Sequence, residues 1–120
     1  MKIAVSASGQ DLSSQVDPRF GRAPYFLIVD TETMEFQVVD NGETMGFSHG
    51  AGPQAVQQIA DHKPRALLTG HCGPNAFRAL QAAGIEVVVS VAGTAKEAVE
   101  RYKAGELQTS KSPNAPGHWS

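Results

Sequence analysis

The 120-residue chain contains one cysteine, so no internal disulfide can brace it and the fold must rest on its core. A single cysteine also excludes a zinc site built from four cysteines, or from two cysteines and two histidines. Charge is sparse, with 18% Asp, Glu, Lys and Arg against a usual value of about 25%. Positive charge is not in surplus: Lys+Arg 10 against Asp+Glu 12 gives a net −2. That excludes a globally basic nucleic-acid binder and leaves room only for a local basic patch. No stretch approaches the roughly 18 apolar residues of a membrane span. The opening Met1-Lys2-Ile3-Ala4-Val5-Ser6-Ala7-Ser8 has too short an apolar run for a signal peptide. The expectation is a soluble cytoplasmic protein with neither nucleic acid nor membrane as partner. No internal repeat is present, and the length suits one ordinary domain.

What is present is a legible apolar pattern. Lys2 to Ala7 reads as a strand. Tyr25-Phe26-Leu27-Ile28-Val29-Asp30 is a continuous apolar run, as in a strand buried on both faces. Glu35 to Val39 alternates at first, the pattern of a strand with one wetter face, and the short spacing predicts an antiparallel hairpin with the run before it. Pro53 suits the first turn of a helix whose face is Val56, Ile59 and Ala60 and which ends near His62, before Pro64. Ala66 to Thr69 is a short buried strand. Pro74 opens a second helix with Ala76, Phe77, Leu80 and Ala83 inward, and Gly84 falls where a left-handed cap belongs. Ile85 to Val89 is another strand. Thr94 and Glu97 spell a capping box ahead of a helix with Ala95, Ala98, Val99 and Tyr102 inward, ended by Gly105. The order β-β-β-α-β-α-β-α predicts an α/β domain over residues 1–107, a mixed five-stranded sheet covered by helices. Residues 108–120, rich in Ser, Pro, Asn and Gly, read as a flexible tail.

Two connections, residues 8–24 and 42–50, lack apolar periodicity and are long for a compact domain. The first carries Arg19, Gly21 and Arg22; the second carries Gly46, His49 and Gly50. A third, Gly70-His71-Cys72-Gly73, joins a strand to a helix. Ligands of open α/β sheets sit at the carboxyl ends of strands. Strands ending at Ala7, at 39–41 and at Thr69 can release all three loops there. Helix N-termini attract anions and glycines admit close backbone approach. Arg19, Arg22, His49, Gly50, Gly70, His71, Cys72 and Gly73 are therefore the candidate binding set, for an anionic ligand. Glycine–proline segments of this kind also serve plain chain reversal.

Cys72 has two readings. A lone cysteine is commonly a small buried hydrophobe, whereas at a helix N-terminus its thiol would lean toward thiolate. His71 to Arg78 also matches the H-C-x5-R spacing of cysteine phosphatases, in which loop amides and the arginine hold phosphate while the thiolate attacks. Pro74 lacks an N–H such a loop needs, and Ala79 replaces the usual Ser or Thr after Arg78.

The run Asp17-Pro18-Arg19-Phe20-Gly21-Arg22-Ala23-Pro24-Tyr25-Phe26 resembles the signature of the dinitrogenase iron-molybdenum cofactor biosynthesis family. So do Gly50-Ala51-Gly52, Gly70-His71-Cys72-Gly73-Pro74-Asn75-Ala76-Phe77, then Leu80, Ala83-Gly84-Ile85 and the closing Ala98-Val99, Tyr102 and Gly105-Glu106-Leu107. The resemblance implies a ribonuclease-H-like fold and a carrier of metal–sulfur clusters rather than an enzyme. For a small free-standing member with one cysteine it implies a molybdenum–copper sulfide cluster, anionic and held non-covalently, with an iron–molybdenum type cluster as the alternative. Other proteins of a cluster-handling complex are implied partners. The glycine loops with Arg19, Arg22, His49 and His71 would cradle the anion, and His49, His71 and Cys72 are the candidate metal ligands. Nuclease activity is not implied, because Ile3 to Ala7 lacks the carboxylate a two-metal site needs. Two other functions compete: a cysteine-dependent phosphatase using Cys72 and Arg78, and a cluster-free adaptor of a redox complex docking through the tail and Trp119.

Overall fold

The computed structural model describes residues 1–41 and 51–110, with backbone only at 51–53. Strands β1 (Lys2–Ala7), β2 (Tyr25–Asp30) and β3 (Phe36–Asp40) are followed by α1 (Ala51–Ala60), β4 (Ala66–Leu68), α2 (Pro74–Ala82), β5 (Glu86–Val88) and α3 (Ala95–Lys103). The sheet order is β3-β2-β1-β4-β5. β2 is antiparallel to β1 and β3, whereas β1, β4 and β5 run parallel. This is the mixed α/β architecture expected from the sequence and from the ribonuclease-H-like reading.

Alternation along the strands sorts the core into two layers. Ala4, Phe26, Ile28, Leu67 and Val87 face α1 and α2, meeting Val56, Ile59, Phe77 and Leu80. Ile3, Val5, Leu27, Val29 and Leu68 face the other way, toward Ala95, Ala98 and Val99 of α3. A fully buried Leu, Ile or Phe in such a layer is worth about 1.5–3 kcal/mol in desolvation, so the central strands anchor the domain.

The local chemistry explains the helix boundaries. Pro74 stands at the first position of α2, where its missing N–H costs nothing. Gly84, at φ +76°, takes the left-handed turn after that helix. The capping box of α3 is complete: Thr94 Oγ accepts from Glu97 N–H at 3.1 Å and Glu97 Oε1 from Thr94 N–H at 2.9 Å. The bond from the Thr94 N–H, and then one from the Thr94 hydroxyl to Oε1 at 3.0 Å, hold the Glu97 carboxyl below its usual range.

Three expectations need correction. α1 ends at Ala60, and the His62 and Lys63 amides close a turn onto Ile59 and Ala60. Ala83 is exposed, because it caps α2 instead of continuing its inward face. β3 does not bury the apolar members of its alternation: Phe36 and Val38 are exposed, and Val39 packs on the α1–α2 layer instead. β3 is an outer strand, and α3 packs across β1, so Phe36 and Val38 keep 37% and 40% of their surface exposed.

Candidate functional site

β1, β3, β4 and β5 finish at the same end of the sheet, so the connections 8–24 and 69–73 meet there. The first is sewn down in stages. Ala7 bridges Val16 and Gln15 bridges Thr94, with Val16 N–H donating to Gly93 O at 2.9 Å. Asp17 N–H then donates to Ser6 O at 2.8 Å. Ser6 Oγ lies 2.9 Å from Asp17 O and 2.8 Å from Thr69 Oγ, tying the ends of β1 and β4 to the loop inside the protein. Asp17 Oδ1 accepts the Arg19 N–H at 2.9 Å, which closes the Asp17-Pro18-Arg19 turn.

Here the two loops touch. Arg19 forms a parallel bridge with His71, and Phe20 N–H donates to His71 O at 3.2 Å. The Phe20 ring is buried and packs against Phe26 with centroids 5.2 Å apart, which fixes the loop to the core. Gly70 crosses beneath Pro18. A Cβ added to it would stand 2.7 Å from Pro18 Cα and 2.8 Å from Pro18 O, so the crossing has room only for glycine.

Arg22 is held from the other side. Asn41, fully buried at the end of β3, donates from Nδ2 to Ala23 O at 2.8 Å and to Gly21 O at 3.2 Å. Its own N–H donates to Pro24 O, and its Oδ1 accepts from Gln58 Nε2 of α1 at 2.6 Å. One side chain thus fixes the carbonyls on both sides of Arg22 and the helix that follows the 42–50 segment.

The structure brings Arg19, Arg22, Gly70, His71 and Gly73 to this end of the sheet. Arg19 is exposed, and Arg22 and His71 are half-buried. Gly73 caps α2 without a side-chain bond, and the amides of Asn75 and Ala76 open the helix next to His71. His49, Gly46 and Gly50 lie outside the described residues, as do His118 and Trp119. Ser6, Asn41, Gln58 and Thr69 were not singled out in the sequence, and Asp17 only as the first residue of the run that resembles the family signature. Their signal was faint, because a polar residue at a strand end also reads as ordinary turn chemistry.

Cys72 departs from the binding set. It is fully buried among Phe20, Ala76 and Phe77 on the α1–α2 side. Burial pushes its thiol up to about 12, opposite to the shift expected of a helix-end thiolate. The small-hydrophobe reading holds, and Cys72 is not placed as a metal ligand. The H-C-x5-R reading fails with it: Arg78 lies on the exposed side of α2 and donates to Asn75 Oδ1 at 2.7 Å.

The described residues contain no group of three or more His, Cys, Asp or Glu side chains able to hold a metal ion. No helix among them is long and apolar enough to cross a membrane. Two clefts open elsewhere: one of about 570 Å³ at the β2–β3 hairpin and one of about 300 Å³ beside α2 and β5.

A family model for the dinitrogenase iron-molybdenum cofactor matches residues 1–105. The chain belongs to this family. The apo form of the orange protein from Desulfovibrio gigas superposes with a TM-score of 0.93 at 47% identity, over 95% of this chain and 96% of that one. A Thermotoga protein whose NMR structure carries a provisional NifB assignment superposes with a TM-score of 0.82 at 38% identity, over 95% and 97%. An uncharacterised protein of Methanocaldococcus jannaschii is 29% identical over 111 residues, 90% of each chain. The family match takes in both loops that meet at Arg19 and His71.

Proposed function

We propose that this protein binds and carries an anionic metal–sulfur cluster non-covalently, and that its specific cargo is a molybdenum–copper sulfide cluster. The observation that carries this reading is the junction of loops at Arg19 and His71, with Gly70 crossing under Pro18 and Arg22 fixed by Asn41. Membership of the family and the similarity to the orange protein, known there in an apo form, support it.

The donor chemistry fits such a cargo. A cluster that brings its own sulfide needs few protein ligands, and the only cysteine is sealed in the core. Its outer sulfides accept hydrogen bonds and carry negative charge. Arg19 and Arg22 supply guanidinium donors, His71 an imidazole, and the first turn of α2 backbone N–H groups with the positive end of a helix dipole. The buried Ser6, Asp17, Thr69 and Asn41 keep these groups in place before the cargo arrives, which reduces the ordering cost of binding. The reading assigns the chain carriage, not catalysis. Other proteins of a cluster-handling complex would be the source or destination of the cargo.

The test is anaerobic loading of the full chain with tetrathiomolybdate and copper, followed by desalting, visible spectroscopy and metal analysis. Protein-bound charge-transfer bands with both metals present are expected. Bands obtained only with iron and molybdenum would move the assignment to an iron–molybdenum type cluster. Colourless protein in both cases would refute cluster carriage.

A further inference from the structure

Three non-glycine residues among those described take a left-handed backbone: Met34 at φ +62°, Lys63 at +53° and Ser90 at +62°. Each carries a Cβ that disfavours this region and that glycine lacks. Met34 and Lys63 lie at the end of the sheet away from the loop junction. Their N–H groups close local turns, onto Asp30 O at 2.8 Å and Ala60 O at 3.0 Å. Met34 also packs against the α3 layer. Ser90 follows β5, at the same end of the sheet as Arg19 and His71, and its N–H donates to Gly70 O at 2.8 Å.

The bonds around Ser90 make it the tip of a connection. β5 runs parallel to β4, yet the amides of Ser90 and Val91 donate to Gly70 and Thr69, in reverse order. The chain thus turns back at Ser90. The rest of this connection is bonded to the other loop of the site: Gly93 O accepts from Val16 N–H, and Thr94 bridges Gln15. Residues 89–94 are therefore braced against both 8–24 and 69–73. Segment 69–71 continues β4, with Arg19 bridged to it on the side of β1 and Ser90 bonded to it on the side of β5.

Ser90 is exposed, and its hydroxyl makes no hydrogen bond with any described residue. Neither its Cβ nor its hydroxyl is used by the fold, and glycine would relax the backbone. A strained residue of this kind is kept where its side chain has other work. The place is the carboxyl end of a parallel strand, where ligands of open α/β sheets sit. We infer that Ser90 is a further binding residue of the loop junction, and, resting on the cluster-carriage reading, that it donates its hydroxyl to an outer sulfide of the anionic cargo. Arg19 and Ser90 then flank His71, and the turn that disfavours Ser90 holds the donor in place before the cargo arrives.

The test compares the full-length parent with Ser90→Gly and Ser90→Ala after anaerobic loading with tetrathiomolybdate and copper. Release of the metals on dilution is timed by the loss of protein-bound colour. Urea unfolding of the unloaded proteins is measured beside it. Both variants lack the hydroxyl, and only Ser90→Gly relaxes the backbone. Release about tenfold faster than from the parent is expected for both, the effect of losing one hydrogen bond to a charged group. Unloaded Ser90→Gly should nevertheless unfold at the same or a higher urea concentration than the parent. Retention that follows stability instead, with Ser90→Gly holding the cluster as long as the parent or longer, would overturn the assignment. The parent's own colour separates the two levels. A colourless parent refutes carriage and this contact with it, whereas a coloured parent matched by both variants refutes the contact alone.

Discussion

At the end of the sheet where β1 and β4 finish, the two described connections, 8–24 and 69–73, are held by buried polar side chains. At the opposite end they are short turns closed by backbone bonds. Of the five buried polar residues among those described, Ser6, Asp17, Asn41 and Thr69 lie at the first end and only Thr31 at the second. The second end uses Met34 N–H to Asp30 O, Ile85 N–H to Leu80 O and Arg65 N–H to Lys2 O. The difference shows how a small domain can hold a long loop in place without filling it with apolar bulk. Buried polar groups that are fully paired fix orientation, and no buried side-chain N or O among the described residues lacks a partner. The end so fixed is the one that presents Arg19, Arg22 and His71.

Glycine replacement probes the contrast most sharply. Gly70→Ala drives a Cβ into Pro18 backbone at 2.7 Å, and a destabilisation of about 2–4 kcal/mol is expected by urea unfolding. Gly84→Ala, at the opposite end, meets nothing within 4 Å and pays only for its φ of +76°, a cost of about 1 kcal/mol. Equal losses at the two glycines would remove the distinction between the ends.

Asn41→Ala comes next. It leaves the carbonyls of Gly21 and Ala23 and the amide of Gln58 without their partner, at an expected cost of about 2–3 kcal/mol. A double-mutant cycle with Gln58→Ala should show coupling. Simple additivity would mean that Asn41 does not join the loop to α1.

Cys72 gives a test by pH. Its ordinary pKa is 9.0 and burial raises it to about 12 in the folded chain. Below about pH 9 both states keep the proton and the thiol leaves stability unchanged. Between about 9 and about 12 the unfolded chain ionises first, so stability falls as pH rises, by at most about 1.4 kcal/mol per unit. Unfolding midpoints at about pH 8 and about pH 10 should separate for the parent and converge for Cys72→Ala, relative to the same shift from other groups. The smallest effect is expected at the α3 cap, where Thr94→Ala should cost about 1 kcal/mol.

Much of the fold was legible because punctuation and periodicity agree. Pro74, Gly84, Gly105 and the Thr94–Glu97 pair mark helix ends by local chemistry that tertiary contacts do not override. The failures have a common cause. Whether Phe36 and Val38 are buried depends on where α3 lies, and whether Cys72 faces solvent depends on the turn of the chain between Gly70 and Gly73. Neither is a property of nearby residues. The candidate site was legible as loops and charges, since Arg19, Arg22 and His71 stand out between glycines. Its supports were not, because Ser6, Asp17, Asn41, Gln58 and Thr69 acquire their roles only when distant segments meet.

The central claim is that paired arginines on polar-braced loops retain an anionic cluster. The direct measurement is the molybdenum and copper retained after anaerobic loading and desalting by the parent, by Arg19→Glu with Arg22→Glu, and by Cys72→Ser. The account predicts full retention by the parent and by folded Cys72→Ser, and loss of most of the metal by the charge-reversed protein. Undiminished retention by the charge-reversed protein, or loss confined to Cys72→Ser, would contradict it.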